Sequence, residues 1–102
     1  MQTKDTYLEG NDVIKAVVTV IGKDMVGILA KVAGRCASCN ANVVEVTQSV
    51  MQDMFAMVML VDISGLNVDF PKFAEEVKGL GSEMDLVVHV MHEDLFNSMH
   101  RI

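Results

Sequence analysis

Apolar residues in this chain recur with two different periods, and each change of period marks the end of an element. From Ile14 to Ile21 the β-branched run IKAVVTVI predicts a strand that breaks at Gly22. A helix follows from Gly27 to about Cys39, with Leu29, Val32, Ala33 and Cys36 at 3-4 spacing and Lys31, Arg35 and Ser38 facing out. Asn40-Ala41-Asn42 is turn chemistry, because Asn tolerates the left-handed backbone at a helix end. A second strand, Val43–Met51, sets Val44, Val46 and Val50 on one face and Glu45, Thr47 and Ser49 on the other. Gln52-Asp53 closes a tight hairpin into an antiparallel third strand, Met54–Ile63.

After the loop Ser64–Asn67, Asp69 is placed to cap a second helix that carries Pro71 in its first turn. That helix is expected to bury Phe70, Phe73, Ala74, Val77 and Leu80, to hold Lys72 and Glu76 as an outward i,i+4 pair, and to stop at Gly79 and Gly81. The fourth strand is expected at Met84–Met91. Leu95, Phe96, Met99 and Ile102 then form an apolar stripe at helical spacing. A βαβ unit repeated twice and joined by a hairpin predicts the α+β, ferredoxin-like βαββαβ arrangement: a four-stranded antiparallel sheet with two helices on one face, and a short C-terminal helix.

The other face of that sheet should then be polar, and it is not. Met54, Ala56, Val58 and Leu60 oppose Phe55, Met57, Met59, Val61 and Ile63 on the third strand, and Val87 and Met91 oppose Leu86, Val88 and Val90 on the fourth. So large an apolar face exceeds what a soluble monomer leaves in water. A second copy of the chain, related by a two-fold axis, is the expected cover; the alternative is the C-terminal stripe folding over its own sheet. Each large apolar side chain buried contributes about 1.5–3 kcal/mol, enough for half a dozen to hold a dimer.

Composition agrees with one folded domain. The chain has 102 residues, 51% of them apolar and 22% charged. Residues 1–12 are expected as a flexible N-terminal segment and 13–102 as the domain. A net charge of −6, with the eight Lys and Arg scattered, argues against nucleic acid, which needs clustered cations. No apolar run approaches the roughly 18–20 residues of a membrane span. The opening MQTKDTYLEG lacks the apolar segment of a signal peptide, so a cytoplasmic location is expected.

The joint from Gly22 to Gly27 is the most distinctive local feature. A strand running through six residues into a helix N-terminus points backbone N–H groups at one small volume, which suits an anion such as the carboxylate of an amino acid. Cys36 and Cys39 read as C-x-x-C, and a redox pair or half a metal site with His89 and His92 is the sharper reading. The spacing favours two small core residues on one side of the first helix, with His89 and His92 on opposite faces of a strand. His100 joins those two as a surface or interface residue, and the nine methionines fit adaptable core and interface filler better than a copper site. No nucleophile elbow, carboxylate pair or phosphate loop is present, so neither catalysis nor a cofactor is expected.

The segment IGKDMVGILAKVAG followed by NANVVEVTQSV, within the βαββαβ order, resembles the ACT domain, a small module that binds amino acids. The resemblance covers about Val13 to Ile102, ending LFNSMHRI, and is strongest to the stand-alone, single-domain members. It implies a ligand between two copies, held by Gly22, Asp24, Met25, Val26, Gly27 and Ile28 of one chain and Asn42 of the other. Backbone N–H groups near Met25–Ile28 would take the α-carboxylate, Asp24 the α-ammonium, and the Asn42 amide either group. Each has a plainer reading too: Asp24 as a helix cap, Lys23 as a solvated charge, Gly22, Gly27 and Asn42 as turn residues. In serine-binding members a histidine stands at the Gly22 position, so the resemblance does not single out serine. The implied partners are an amino acid, a second copy, and a metabolic enzyme or regulator that the module would serve.

Overall fold

The structure, a computed structural model, describes residues 14–23 and 27–94. The chain runs β1 (Lys15–Gly22), α1 (Ile28–Ser38), β2 (Asn42–Met51), β3 (Met54–Asp62), α2 (Phe70–Met84) and β4 (Val87–His92). The four strands form one antiparallel sheet in the order β2-β3-β1-β4, the expected ferredoxin-like topology. The expected N-terminal segment and the stripe from Leu95 to Ile102 lie outside the described residues.

Period-two alternation puts Ala16, Val18 and Val20 of β1, Phe55, Met57, Met59 and Val61 of β3 and Val88 of β4 against the helices. Ile28, Val32 and Cys36 of α1 and Phe73, Val77 and Leu80 of α2 meet them, so the core lies between the sheet and the helix layer. Arg35, expected to face out, instead bridges the helices: its Nη1 donates to the Glu76 carbonyl at 3.0 Å and its Nη2 lies 3.5 Å from Glu83 Oε1. Leu29 is more exposed than its 3-4 spacing suggested, because Ile28 takes the inward position at the start of the helix.

Three boundaries differ from the sequence reading. On β2 the register with β3 shifts between Val43 and Glu45, so Val44 sits in a bulge, half exposed, and Val43 packs on the core in its place. Gly79 and Gly81 do not stop α2, which continues to Met84. Leu80 and Gly81 are buried, and tertiary packing outweighs the ~1 kcal/mol that each glycine costs a helix. The helix ends instead at Asp85, in the left-handed conformation (φ 59°), which delays β4 to Val87.

The remaining turn chemistry follows expectation. Asn40 is left-handed (φ 64°) and its Nδ2 donates to the Gly65 carbonyl at 2.6 Å, tying the α1–β2 turn to the β3–α2 loop. Asp69 caps α2 by accepting from the Lys72 N–H at 3.0 Å, and Lys72 Nζ pairs with Glu76 Oε2 at 3.3 Å. Among the described residues no helix is long and apolar enough to cross a membrane.

Candidate functional site

The joint leaves β1 at Gly22, which is paired with Phe55 on β3. Packing favours glycine at position 22: a β-carbon there would run into Cδ2 of Leu86, which leads into β4 and would have to move aside. Gly27 caps α1 with φ 75° and ψ 0°, a left-handed conformation that glycine adopts without steric cost. Among the described residues nothing outside its own stretch of chain lies within 4 Å of the point where its β-carbon would sit. The first intrahelical bond of α1 runs from the Lys31 N–H to the Gly27 carbonyl at 3.0 Å. The N–H groups of Ile28, Leu29 and Ala30 precede it; among the described residues no side chain caps them, and no acid lies in the first turn of the helix. The Ile28 side chain is in the core, so Ile28 can offer a ligand only its N–H. Asp24, Met25 and Val26 lie outside the described residues.

Asn42 stands at the other end of the sheet. It pairs with Asp62 on β3, whereas Gly22 pairs with Phe55 on the same strand, seven residues away. At the rise of a β-strand that is about 23 Å. One chain therefore does not bring Asn42 to the joint, and a site containing both needs a second copy. Around Asn42 the chemistry is already internally satisfied: the Ser64 hydroxyl and N–H both donate to Asp62 and hold its carboxyl below the usual carboxylate range.

Beside Gly22 the structure shows a cleft of about 360 Å³ that the motif reading missed. Ile21, Met54, Met84 and Val87 form its apolar lining, and Lys23 and Asp85 supply one charge of each sign. The sequence held one signal for it. Extending the pairing Ile21↔Val87 by two residues sets Lys23 opposite Asp85, and extending Gly22↔Phe55 by one sets Lys23 opposite Met54.

The C-x-x-C pair is core. Both thiols are free and buried, and burial, followed by the neighbouring Cys39, pushes the Cys36 thiol up to about 11. His89 pairs across from Thr19 on the outer face and His92 across from Ala16, so the two histidines do point to opposite faces. The His92 ring packs edge-on against Phe70, with centroids 5.7 Å apart. Among the described residues no three His, Cys, Asp or Glu side chains are grouped to hold a metal ion.

Comparison with known proteins places this geometry. Residues 15–91 match the ACT domain family. A UPF0237 protein of Methanocaldococcus jannaschii is 46% identical over 88 residues, 86% of this chain and 98% of that one. A UPF0237 protein of Listeria innocua is 42% identical over 89 residues, 87% of this chain and all of that one. Among solved structures, an ACT domain protein from Streptococcus pneumoniae superposes with a TM-score of 0.72 at 30% identity, covering 81% of this chain and 93% of that one. The match spans both helices and all four strands, including the joint, and on it the chain belongs to the ACT domain family.

Proposed function

We propose that this chain is a small, non-catalytic regulatory module that binds an amino acid or a similar small ligand at an interface between copies of itself. The observation that carries the reading is the start of α1. At Gly27 a helix N-terminus begins that no described side chain caps, and the partial positive charge of the helix is directed there. The outer sheet face supports the second copy: Ile21, Met54, Val58 and Val87 are each between 38% and 54% exposed on it. A ligand touching the joint of one copy and Asn42 of the next binds the assembled state preferentially, and so shifts the oligomer equilibrium or locks the angle between subunits.

The test is sedimentation or light scattering at micromolar concentration, combined with melting across the proteinogenic amino acids. The expected species is larger than the 11.2 kDa chain, and one ligand class raises its stability by about 2.7 kcal/mol at a hundredfold excess over Kd. Asp24→Ala should remove that stabilisation while leaving the fold. A monomer of 11.2 kDa that no amino acid stabilises ends the proposal.

A second reading rests on β2. This ten-residue edge strand has exposed Val44, Val50 and Met51, a surface on which an extended segment of a metabolic enzyme or regulator would add as a further strand. An assembled protein with no melting response to any amino acid favours it.

A further inference from the structure

We infer that the cleft at the open end of β1, β3 and β4 is the pocket that selects the ligand, and that it takes a free α-amino acid with an aliphatic or thioether side chain. The inference rests on the amino-acid reading above; it adds the ligand class and sets Lys23 and Asp85 beside the contacts which that reading assigns to the joint. Lys23 and Asp85 both line the cleft beyond Ile21↔Val87, the last pair of the β1–β4 ladder, and among the described residues no ion pair joins them. Between them lies a space of about 360 Å³, in the lower part of the roughly 300–1,000 Å³ range of small-molecule sites. One cation and one anion flanking a small apolar volume match a zwitterion whose two charges leave a single carbon. The carboxylate goes to Lys23, the ammonium to Asp85, and the side chain to Met54, Met84, Ile21 and Val87. Two flexible thioethers in that lining adapt to unbranched or γ-branched chains.

Asp85 is a poor choice for its place unless it binds something. It holds a left-handed backbone that glycine or asparagine adopts more readily. It also sets a carboxylate at the C-terminus of α2, where the helix dipole is already negative and no basic residue lies in the last turn. Glu83, the neighbouring acid, is engaged by Arg35 at 3.5 Å. The negative potential left at the cleft is therefore that of Asp85 with the helix end, an arrangement that favours an incoming ammonium. Gly22 completes the floor, because its missing β-carbon lets Leu86 close under the lining.

Calorimetric titration of the full chain tests this, with L-leucine, L-methionine, glycine, L-serine, leucinamide and 4-methylpentanoate as probes. Leucine or methionine should bind at least about tenfold tighter than glycine or serine, which leave the apolar lining unfilled, and than the two probes that lack one charge, since burying a large apolar side chain and a hydrogen bond to a charged group are each worth that factor or more. Lys23→Gln and Asp85→Asn should each weaken binding by about ten- to a hundredfold. Asparagine keeps the left-handed turn, and melting of the free variants confirms the fold. Lys78→Gln, an exposed cation away from the cleft, should keep the wild-type Kd. If amino acids bind but both charge variants match the wild type, or if glycine and serine bind as tightly as leucine, the cleft assignment is wrong and the amino-acid reading stands. If no amino acid binds, both fall.

Discussion

Two glycines two residues apart in α2 should respond to alanine with opposite signs. At Gly79 nothing lies within 4 Å of the new β-carbon, so Gly79→Ala keeps only the helix-propensity gain, about 0.8–1 kcal/mol. At Gly81 the same methyl group would stand 2.7 Å from the Leu86 carbonyl oxygen and 3.3 Å from Val88 Cγ2. The first contact is with backbone, which must recede by about 0.7 Å to reach the 3.4 Å at which ordinary contact begins. Receding also stretches the 2.8 Å hydrogen bond from the Leu86 N–H to the Gly81 carbonyl, which closes the α2–β4 turn. Overpacking of this kind costs about 1–3 kcal/mol and the bond about 1 kcal/mol, so together they exceed the propensity gain.

Gly81→Ala should therefore destabilise by about 1–3 kcal/mol, and Gly79→Ala should stabilise by up to about 1 kcal/mol. For a domain of this size each kcal/mol moves Tm by about 4–8 °C, so a difference of about 2–4 kcal/mol should separate the two variants by roughly 8–30 °C. Urea unfolding at one fixed protein concentration is the assay, because an assembling protein changes its midpoint with concentration. Equal shifts of the same sign would refute the reasoning: either propensity alone governs α2 or Leu86 does not press on it. The displaced Leu86 is also the residue over Gly22, so Gly81→Ala should weaken leucine binding in the cleft without touching a ligand contact.

Asp69→Ala removes the acceptor for the Lys72 N–H and should cost about 1 kcal/mol, read from the urea midpoint, while Asp69→Ser recovers most of it. Cys36 carries a pH prediction. Its thiol is raised to about 11 in the folded chain from 9.0, so the folded state holds the proton more tightly. Its contribution is fully present below pH 9 and is lost as pH rises toward 11, a fall of up to about 3 kcal/mol that Cys36→Ala should abolish. At pH 8 native Cys36 should alkylate about a hundredfold more slowly than in the unfolded chain, by mass spectrometry of iodoacetamide-treated protein.

Most of the sheet was legible because its strands are dense in β-branched and apolar residues bounded by turn chemistry, and the hairpin at Gln52-Asp53 set the register of β2 against β3 as far as Glu45. Local hydrogen bonding made Asp69 and Asn40 equally readable. The bulge at Val44 was not readable, because three successive β-branched or acidic residues fit either register and the choice is made by packing from α1. The end of α2 failed for a related reason. Gly79 and Gly81 are punctuation in an isolated helix, but here Gly81 is what lets the helix lie against Leu86. That error moved the start of β4 by three residues and hid the cleft, since Met84 and Asp85 line it from the end of α2 and not from a strand. Glycine at position 27 signalled a special backbone correctly; that Asn42 lies a full strand length away could emerge only from the folded register.

The two ends of the sheet are built by different rules, and the difference bears on where a ligand acts. At the end holding Asn42, side chains close the turns: Asn40 to Gly65, Asn67 to Ser38, Ser64 to Asp62 and Asp69 to Lys72. At the end holding Gly22, the described residues show no such closure. Among the described residues no side chain caps α1, and Gln52 and Asp85 are two of the three non-glycine residues with positive φ. Sequences that satisfy local rules at one end and break them at the other place the exceptions where another requirement competes. Here the competing requirement would be a cation and an anion around one apolar cleft. An amino acid bound there would supply, at the turn after α2, the kind of contact that the far end obtains from its own side chains.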